Sequence, residues 1–324
     1  LASLPEADIP IRDRFEAGAV HSIIYTSGTT GKPKGAMLVY GAFWWNAVGS
    51  ALNLGNHVDD RWLAVLPWFH VGGLSIFFRS VIYGIPAVVH AFDAAAVNAA
   101  IERDRVTIIS VVATMLQRML GERGERPYPT WLRCVLLGGG PAPRPLLEVC
   151  ADRGIPVVQT YGLTETASQV ATLAPEDALR KLGSAGKPLY PNAIRIAQGD
   201  APLPAGPPGE FQVRGPVVTI GYVGRPEATA RALDGGWLRT GDVGYLDDEG
   251  YLYVLDRRDD LIVTGGENVY PAEVEAALLA HPAVEEAGVI GVPGAEWGDV
   301  VVAVVRHHDG PSVTEEELRV FCRP

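Results

Sequence analysis

Between residues 22 and 160, six short runs rich in β-branched side chains, at 23–26, 62–66, 87–90, 107–111, 135–137 and 157–160, alternate with helix-like segments. That alternation predicts an α/β layer around a largely parallel sheet. Apolar residues make up 48% of the 324 residues, enough for sizeable buried cores. After residue 183 Gly and Pro punctuate short strands expected at 194–197, 210–214, 217–222 and 251–256, a texture of a small barrel or antiparallel sheet. A third region starts near Asp259. There an apolar run at 261–263 leads through Gly265 and Gly266 to a helix beginning at Pro271, with Val274, Ala277 and Leu278 on one face and His281-Pro282 as its stop. Strands are expected after it at 286–292 and 300–306. No internal repeat is visible.

Residues 25–35 read YTSGTTGKPKG, so a strand end is followed by hydroxyls, glycines and two lysines. Exposed backbone amides, hydroxyls and lysine charge are the groups that cradle a polyphosphate. The ATPase P-loop has four residues between its first glycine and its Gly-Lys pair. Here two residues separate Gly28 from Gly31-Lys32, and Pro33 stands where the metal-binding hydroxyl would be. It is a different loop, and by itself it would pass for a surface turn. All eleven residues, however, match the phosphate-binding signature of the adenylate-forming superfamily, and the chain resembles those acyl-CoA synthetases, nonribosomal-peptide adenylation domains and firefly luciferases. The resemblance implies that Thr26, Ser27, Gly28, Thr29, Thr30, Gly31 and Lys34 hold the phosphates of ATP.

Further motifs follow in that superfamily's order. YGLTET at 161–166 comes directly after the expected strand 157–160, and a carboxylate at the carboxyl end of a parallel strand lies where open α/β sheets bind ligands. A hard oxygen ligand there suits Mg²⁺, so Glu165, with Thr26, is the candidate metal site. Standing alone, Thr164 would read as the N-cap of a helix. The resemblance implies instead that Tyr161 stacks on adenine and Thr164 contacts the α-phosphate. On the same ground Gly139, Gly140 and Pro141, with Gly162, frame the adenine slot. Asp242 in Thr240-Gly241-Asp242 and Arg257 in DRRDD match the ribose-binding positions, although an Asp beside Gly is more commonly a turn former. Asp259 matches the hinge between a large domain, 1–258 with a barrel-like part at 183–256, and a small mobile domain, 259–324. Gly265 and Gly266 match the glycines lining the tunnel for coenzyme A, where a side chain would block close approach. The fold so implied is the adenylate-forming α/β fold: a large domain of layered α/β sheets plus a small β-barrel, then an incomplete α+β domain.

Within the superfamily, the segments at 66–84, 107–112, 132–143 and 182–191 look like the o-succinylbenzoate–CoA ligase branch of bacterial menaquinone synthesis, over essentially the whole chain. An acid of that kind needs a pocket for a flat apolar ring and donors for a second anion. Candidate donors are Ser75, Arg79, Ser168 and Gln169, with His70 at the mouth as a substrate-positioning group. Each has a plainer alternative: a surface pair for Arg79, the outer face of a helix begun at Thr164 for Ser168 and Gln169, and a satisfied histidine for His70. Superfamily members carry a lysine near the C-terminus that bridges the reacting carboxylate and the α-phosphate. No lysine follows Lys187 in this sequence.

The net charge of −11 opposes a nucleic-acid partner, which needs clustered positive charge. No apolar run approaches the roughly 18 residues of a membrane span, and no basic stretch with an apolar core opens the chain. Cys134, Cys150 and Cys322 lack metal or redox spacing and read as core thiols of a cytoplasmic protein. A Leu start, and a stop at Pro324 just after a helix-like 314–321 with a Thr314–Glu317 capping box, lead us to expect cut ends. The reading is therefore an ATP-, Mg²⁺- and coenzyme A-dependent acid–thiol ligase acting on small molecules, with a homo-oligomer among its expected states. Its rivals are a related acyl- or aryl-CoA synthetase with another acid, and an inactive nucleotide-binding module.

Overall fold

The computed structural model describes residues 13–26, 33–140, 142–257, 262–264, 267–269, 271–294, 298–308 and 313–322. β1 (Val20–Thr26) and β2 (Lys34–Val39) pair antiparallel with Thr26 opposite Lys34, and α1 (Tyr40–Leu54) follows directly. The run at 23–26 is thus not a strand of the parallel sheet, a correction to the sequence reading. The cause is connection length: a short turn can join antiparallel neighbours, whereas parallel ones need a crossover of a dozen or more residues.

β3 (Trp62–Ala64), α2 (Val71–Tyr83), β4 (Ala87–Val89), α3 (Ala94–Arg103), β5 (Ile108–Val111), α4 (Ala113–Arg123), β6 (Cys134–Leu137), α5 (Arg144–Asp152) and β7 (Val157–Leu163) alternate as expected. Their strands pair in parallel in the order β4-β3-β5-β6-β7, and β8 (Ser168–Thr172) and β9 (Lys187–Pro188) extend the sheet antiparallel. β3, β5 and β6 are buried at every residue because both faces are covered. Leu63, Ile109, Val135 and Leu137 pack with Val97, Ile101, Leu116 and Leu147 on one side, and Trp62, Ile108, Cys134 and Leu136 with Ile76 on the other. Each such aliphatic side chain contributes about 1.5–3 kcal/mol on burial.

No helix begins at Thr164. Residues Thr164–Thr166 make one 3₁₀ turn, and Ala167 and Ser168, at φ 52° and 110°, then reverse the chain into β8, so Ser168 and Gln169 lie on a strand. The reversal needs Gly162, where a Cβ would sit 2.0 Å from the Ser168 carbonyl oxygen.

β10 (Ala193–Gln198), β11 (Ala201–Pro202), β12 (Gly209–Arg214), α6 (Pro226–Ala232), β13 (Leu233–Asp234), β14 (Trp237–Leu246) and β15 (Leu252–Arg257) come next. The strands form an antiparallel sheet in the order β11-β10-β12-β14-β13, with β15 also on β14; among the described residues its ladders do not close into a ring. Ile194, Ile196, Phe211, Val213 and Leu238 form its core with Tyr161. The strand expected at 217–222 is absent from this sheet. That segment runs beside β2 instead, where Met37 N donates to Gly221 O, Ile220 N to Met37 O and Val223 N to Gly35 O.

In the last region β16 (Ile262–Thr264), β17 (Glu267–Val269), α7 (Pro271–Leu279), β18 (Val284–Gly294), β19 (Gly298–His307) and α8 (Glu315–Phe321) build an antiparallel sheet, order β17-β16-β19-β18, and Ile262, Leu278 and Val289 form its core. The expected capping box opens α8: Glu317 N donates to Thr314 Oγ1 and Thr314 N to Glu317 Oε2. Cys134 and Cys150 are buried free thiols, pushed by burial to pKa values of about 12 and about 11, which keeps them protonated and unreactive. Among the described residues no helix is long and apolar enough to cross a membrane.

Candidate active site

The carboxyl ends of the parallel strands open into a cleft of about 910 Å³. Leu66 and Pro67 beyond β3, Val112 beyond β5, Gly138 and Gly139 beyond β6, and Thr160 and Gly162 in β7 line it. This is where a doubly wound sheet leaves its strand ends and dipoles open to a ligand. The hairpin supplies Tyr25, Thr26 and Lys34, the 3₁₀ turn supplies Thr164 and Glu165, and β8 supplies Ser168 and Gln169.

Glu165 accepts a hydrogen bond from the Tyr222 hydroxyl at 2.9 Å, and its backbone oxygen accepts from Thr219 N at 2.7 Å. Burial, and then the Glu165 charge, push the Tyr222 phenol far above its ordinary pKa, so it stays a donor. Lys34 Nζ lies 5.7 Å from the centroid of the Tyr222 ring. A cation, a phenol and a carboxylate thus converge on one wall.

Arg79, on α2, also lines the cleft. It is 1% exposed, its Nη2 donates to Asn46 Oδ1 at 2.6 Å, and its Cζ lies 5.1 Å from the Trp62 ring centroid. Among the described residues no carboxylate is within ion-pair range of it and nothing accepts from its Nε. Burial lowers its pKa, yet guanidinium remains a cation. The surface-pair reading of Arg79 is therefore corrected: it faces the cleft from the interior.

The other candidates divide. His70, at the start of α2, is exposed and lines the cleft with Ser168 and Gln169. Ser75 is buried and is not among the lining residues, its hydroxyl donating to Gly72 O at 3.3 Å within its own helix. Tyr161 and Asp242 are brought together, the tyrosine hydroxyl donating to Asp242 Oδ2 at 2.6 Å, but both are buried behind the lining and the Tyr161 ring packs edge-on to Phe211. Arg257 pairs with Asp242 along the β14–β15 ladder through the backbone, and its side chain lies outside the described residues. Gly140 is exposed beside the lining. Ser27, Gly28, Thr29, Thr30, Gly31, Pro141, Asp259, Gly265 and Gly266 lie outside the described residues.

Sequence reasoning missed Tyr222, Asn46, Glu210 and Arg239. The last two also line the cleft, Gly241 N donating to Glu210 Oε1 at 3.2 Å. Only the Gly-Tyr step at 221–222, unusual inside a strand, hinted at one of them.

The profile of the AMP-binding enzyme family matches residues 5–223, and that of the AMP-binding enzyme C-terminal domain matches residues 273–324. The chain belongs to the AMP-binding enzyme family. Its adenylate-forming fold agrees with the resemblance drawn from the 25–35 loop. A 2-succinylbenzoate–CoA ligase of Geobacillus kaustophilus is 60% identical over 324 residues, all of this chain and 66% of that protein. An o-succinylbenzoate CoA synthetase from Bacillus subtilis, solved with its acyl-adenylate intermediate, superposes with a TM-score of 0.93 at 50% identity, over 98% of this chain and 65% of that one. The same enzyme solved with ATP and magnesium gives 0.91 at 49% identity, over 99% and 66%. The chain thus spans just under two thirds of the length of these family members.

Proposed function

We propose that this chain is the ATP- and acid-binding part of an o-succinylbenzoate–CoA ligase, with residues 1–258 as the large domain and 259–324 as the start of a smaller unit that turns about Asp259. The observation that carries the substrate is Arg79, a buried cation facing the cleft with no carboxylate partner among the described residues. Leaving it unpaired costs several kcal/mol of desolvation, so a ligand anion is its natural complement. The acid has two carboxylates: one reacts, and the other, with the aromatic ring, lies toward Arg79, Gln169 and Ser168. His70 closes the mouth and positions the acid.

In the first half-reaction an oxygen of the acid attacks the α-phosphorus of ATP and the bond to pyrophosphate breaks. In the second, the sulfur of coenzyme A attacks the acyl carbon and AMP departs. The chain's own part is orientation and charge: Lys34 and Thr164 meet the phosphates, with Thr26 and Ser27–Gly31 as the expected remainder of that cradle. Tyr161, Gly139, Gly140, Pro141 and Gly162 hold the base, Asp242 and Arg257 the ribose, and Gly265 and Gly266 line the thiol's approach. Glu165 suits Mg²⁺, which binds through one or two carboxylates and substrate phosphates, and the Tyr222 hydrogen bond aims it. Thr26 is the second residue that would hold the ion, which when bound offsets phosphate charge. The free buried thiols accord with a cytoplasmic setting.

Calorimetry with stable acyl-adenylate analogues tests the reading. The o-succinylbenzoyl analogue should bind at least about tenfold more tightly than benzoyl or fatty-acyl ones. Equal binding of all would assign another acid, and binding of none would leave an inactive module.

A further inference from the structure

The Arg79 guanidinium is held by a neutral amide. Asn46, on α1 and 2% exposed, accepts from Arg79 Nη2 through Oδ1 at 2.6 Å, while its Nδ2 donates to Gln169 O at 2.7 Å and to Thr166 O at 3.4 Å. These partners fix the amide's orientation without ambiguity, since guanidinium can only donate and carbonyl oxygens can only accept. Few side chains meet that pattern. Leu would leave both neighbours unpaired, and Asp would face two carbonyl oxygens and cancel the charge of Arg79.

Trp62 completes the seat. Its ring lies beside the guanidinium and its Nε1 donates to Ser110 Oγ at 2.9 Å, which locks the ring plane. The two carbonyls held by Asn46 flank Ala167 and Ser168, whose positive φ values of 52° and 110° need surrounding support to persist. Three residues on three elements therefore share one amide: Arg79 on α2, Gln169 on β8 and Thr166 in the turn that carries Glu165.

We propose that Asn46 is the positioning residue of the acid pocket: it aims the Arg79 guanidinium at the carboxylate of the acid that does not react, without neutralising it, and ties that anion seat to the Glu165 turn. This deepens the acid-pocket reading above and rests on it. It also assigns selectivity, because a pocket whose cation is oriented by an uncharged group favours an acid with a second negative charge over the same acid without one.

Two acyl-adenylate analogues, one bearing the second carboxylate and one with hydrogen in its place, are titrated by calorimetry into the chain, alongside AMP as a control for folding. For the unaltered chain the carboxylate-bearing analogue binds more tightly by about tenfold or more. Asn46→Asp should abolish this preference and Asn46→Leu should reduce it, each read as the ratio of the two analogues' affinities, in which any loss common to both through the Glu165 turn cancels. Arg79→Met separates the two claims. If Arg79→Met removes the preference and both Asn46 variants keep it, Arg79 binds the anion and the role given to Asn46 is wrong. If Arg79→Met leaves the preference intact, the underlying acid-pocket reading fails instead. A fall for both analogues in equal proportion would mark Asn46 as merely structural and overturn the proposal.

Discussion

Tyr222 donates its hydroxyl to Glu165 across 2.9 Å, joining the segment beside β2 to the 3₁₀ turn after β7. The two residues are 57 positions apart in sequence, and the phenol is kept protonated by burial and by the charge it faces. If Glu165 is the Mg²⁺ ligand, its orientation depends on this bond. Glu165→Gln should abolish the Mg²⁺-dependent gain in ATP affinity, and Tyr222→Phe should reduce it about tenfold, as loss of a ligand's supporting hydrogen bond does. Titrating ATP with and without Mg²⁺ measures both, and an unchanged gain in Glu165→Gln would remove that residue from the metal site.

Asp242 is 4% exposed and accepts a hydrogen bond from the Tyr161 hydroxyl, which fixes the direction of its carboxylate. Asp242→Asn should weaken AMP binding by about 1.5–3 kcal/mol if the carboxylate accepts from ribose hydroxyls. Tyr161→Phe, which removes the bond to Asp242 and keeps the carboxylate, should cost less, on the order of 1 kcal/mol. Equal AMP affinity for Asp242→Asn and the unaltered chain would count against the ribose assignment.

Gly162 admits no side chain, since its Cβ would meet the Ser168 carbonyl at 2.0 Å. Gly162→Ala should force β7 and β8 apart, lowering stability by about 1–3 kcal/mol in urea denaturation and weakening ATP binding through the displaced Glu165 turn. A variant with ordinary stability and affinity would show that the junction is looser than its geometry.

Asp60 and Arg133 form an ion pair, Nε donating to Oδ1 at 2.8 Å and Nη2 to Oδ2 at 2.5 Å, with the Asp60 side chain 2% exposed. Burial alone would raise the Asp60 carboxyl, but Arg133, the His57 amide and the Thr107 hydroxyl outweigh it and hold the pKa below the usual carboxylate value. With a lowered folded pKa, the stabilisation is complete above the unfolded value of about 3.9 and is lost as pH falls through the folded one. Asp60→Asn should therefore cost about 3 kcal/mol near pH 7, and the gap to the unaltered chain should narrow below about pH 4. A gap constant from pH 7 to pH 3 would show that the carboxylate charge contributes nothing.

The parallel strands were readable because β3, β5 and β6 are buried on both faces and so appear as unbroken apolar runs. Glu165 was readable from its place just after the expected strand 157–160, whereas Gly139, Gly162 and Thr164 were legible only through the superfamily resemblance. The run at 217–222 was misread because an apolar stretch with a Gly looks alike in a sheet and beside one. Thr219 Oγ1 donates to Met37 O, 182 residues away, and no local pattern carries a pairing over that distance.

By itself the sequence determined the alternation of elements, the 25–35 loop and the family motifs, since hydrophobic period, turn chemistry and contiguous signatures act over a few residues at a time. The tertiary structure decided which side chains face the cleft. It turned Ser75 back onto its own helix and brought Asn46, Trp62 and Arg79 together from α1, β3 and α2. Those outcomes depend on the direction of a side chain relative to packed neighbours, and a close-packed interior sets that direction through contacts between residues far apart in the chain.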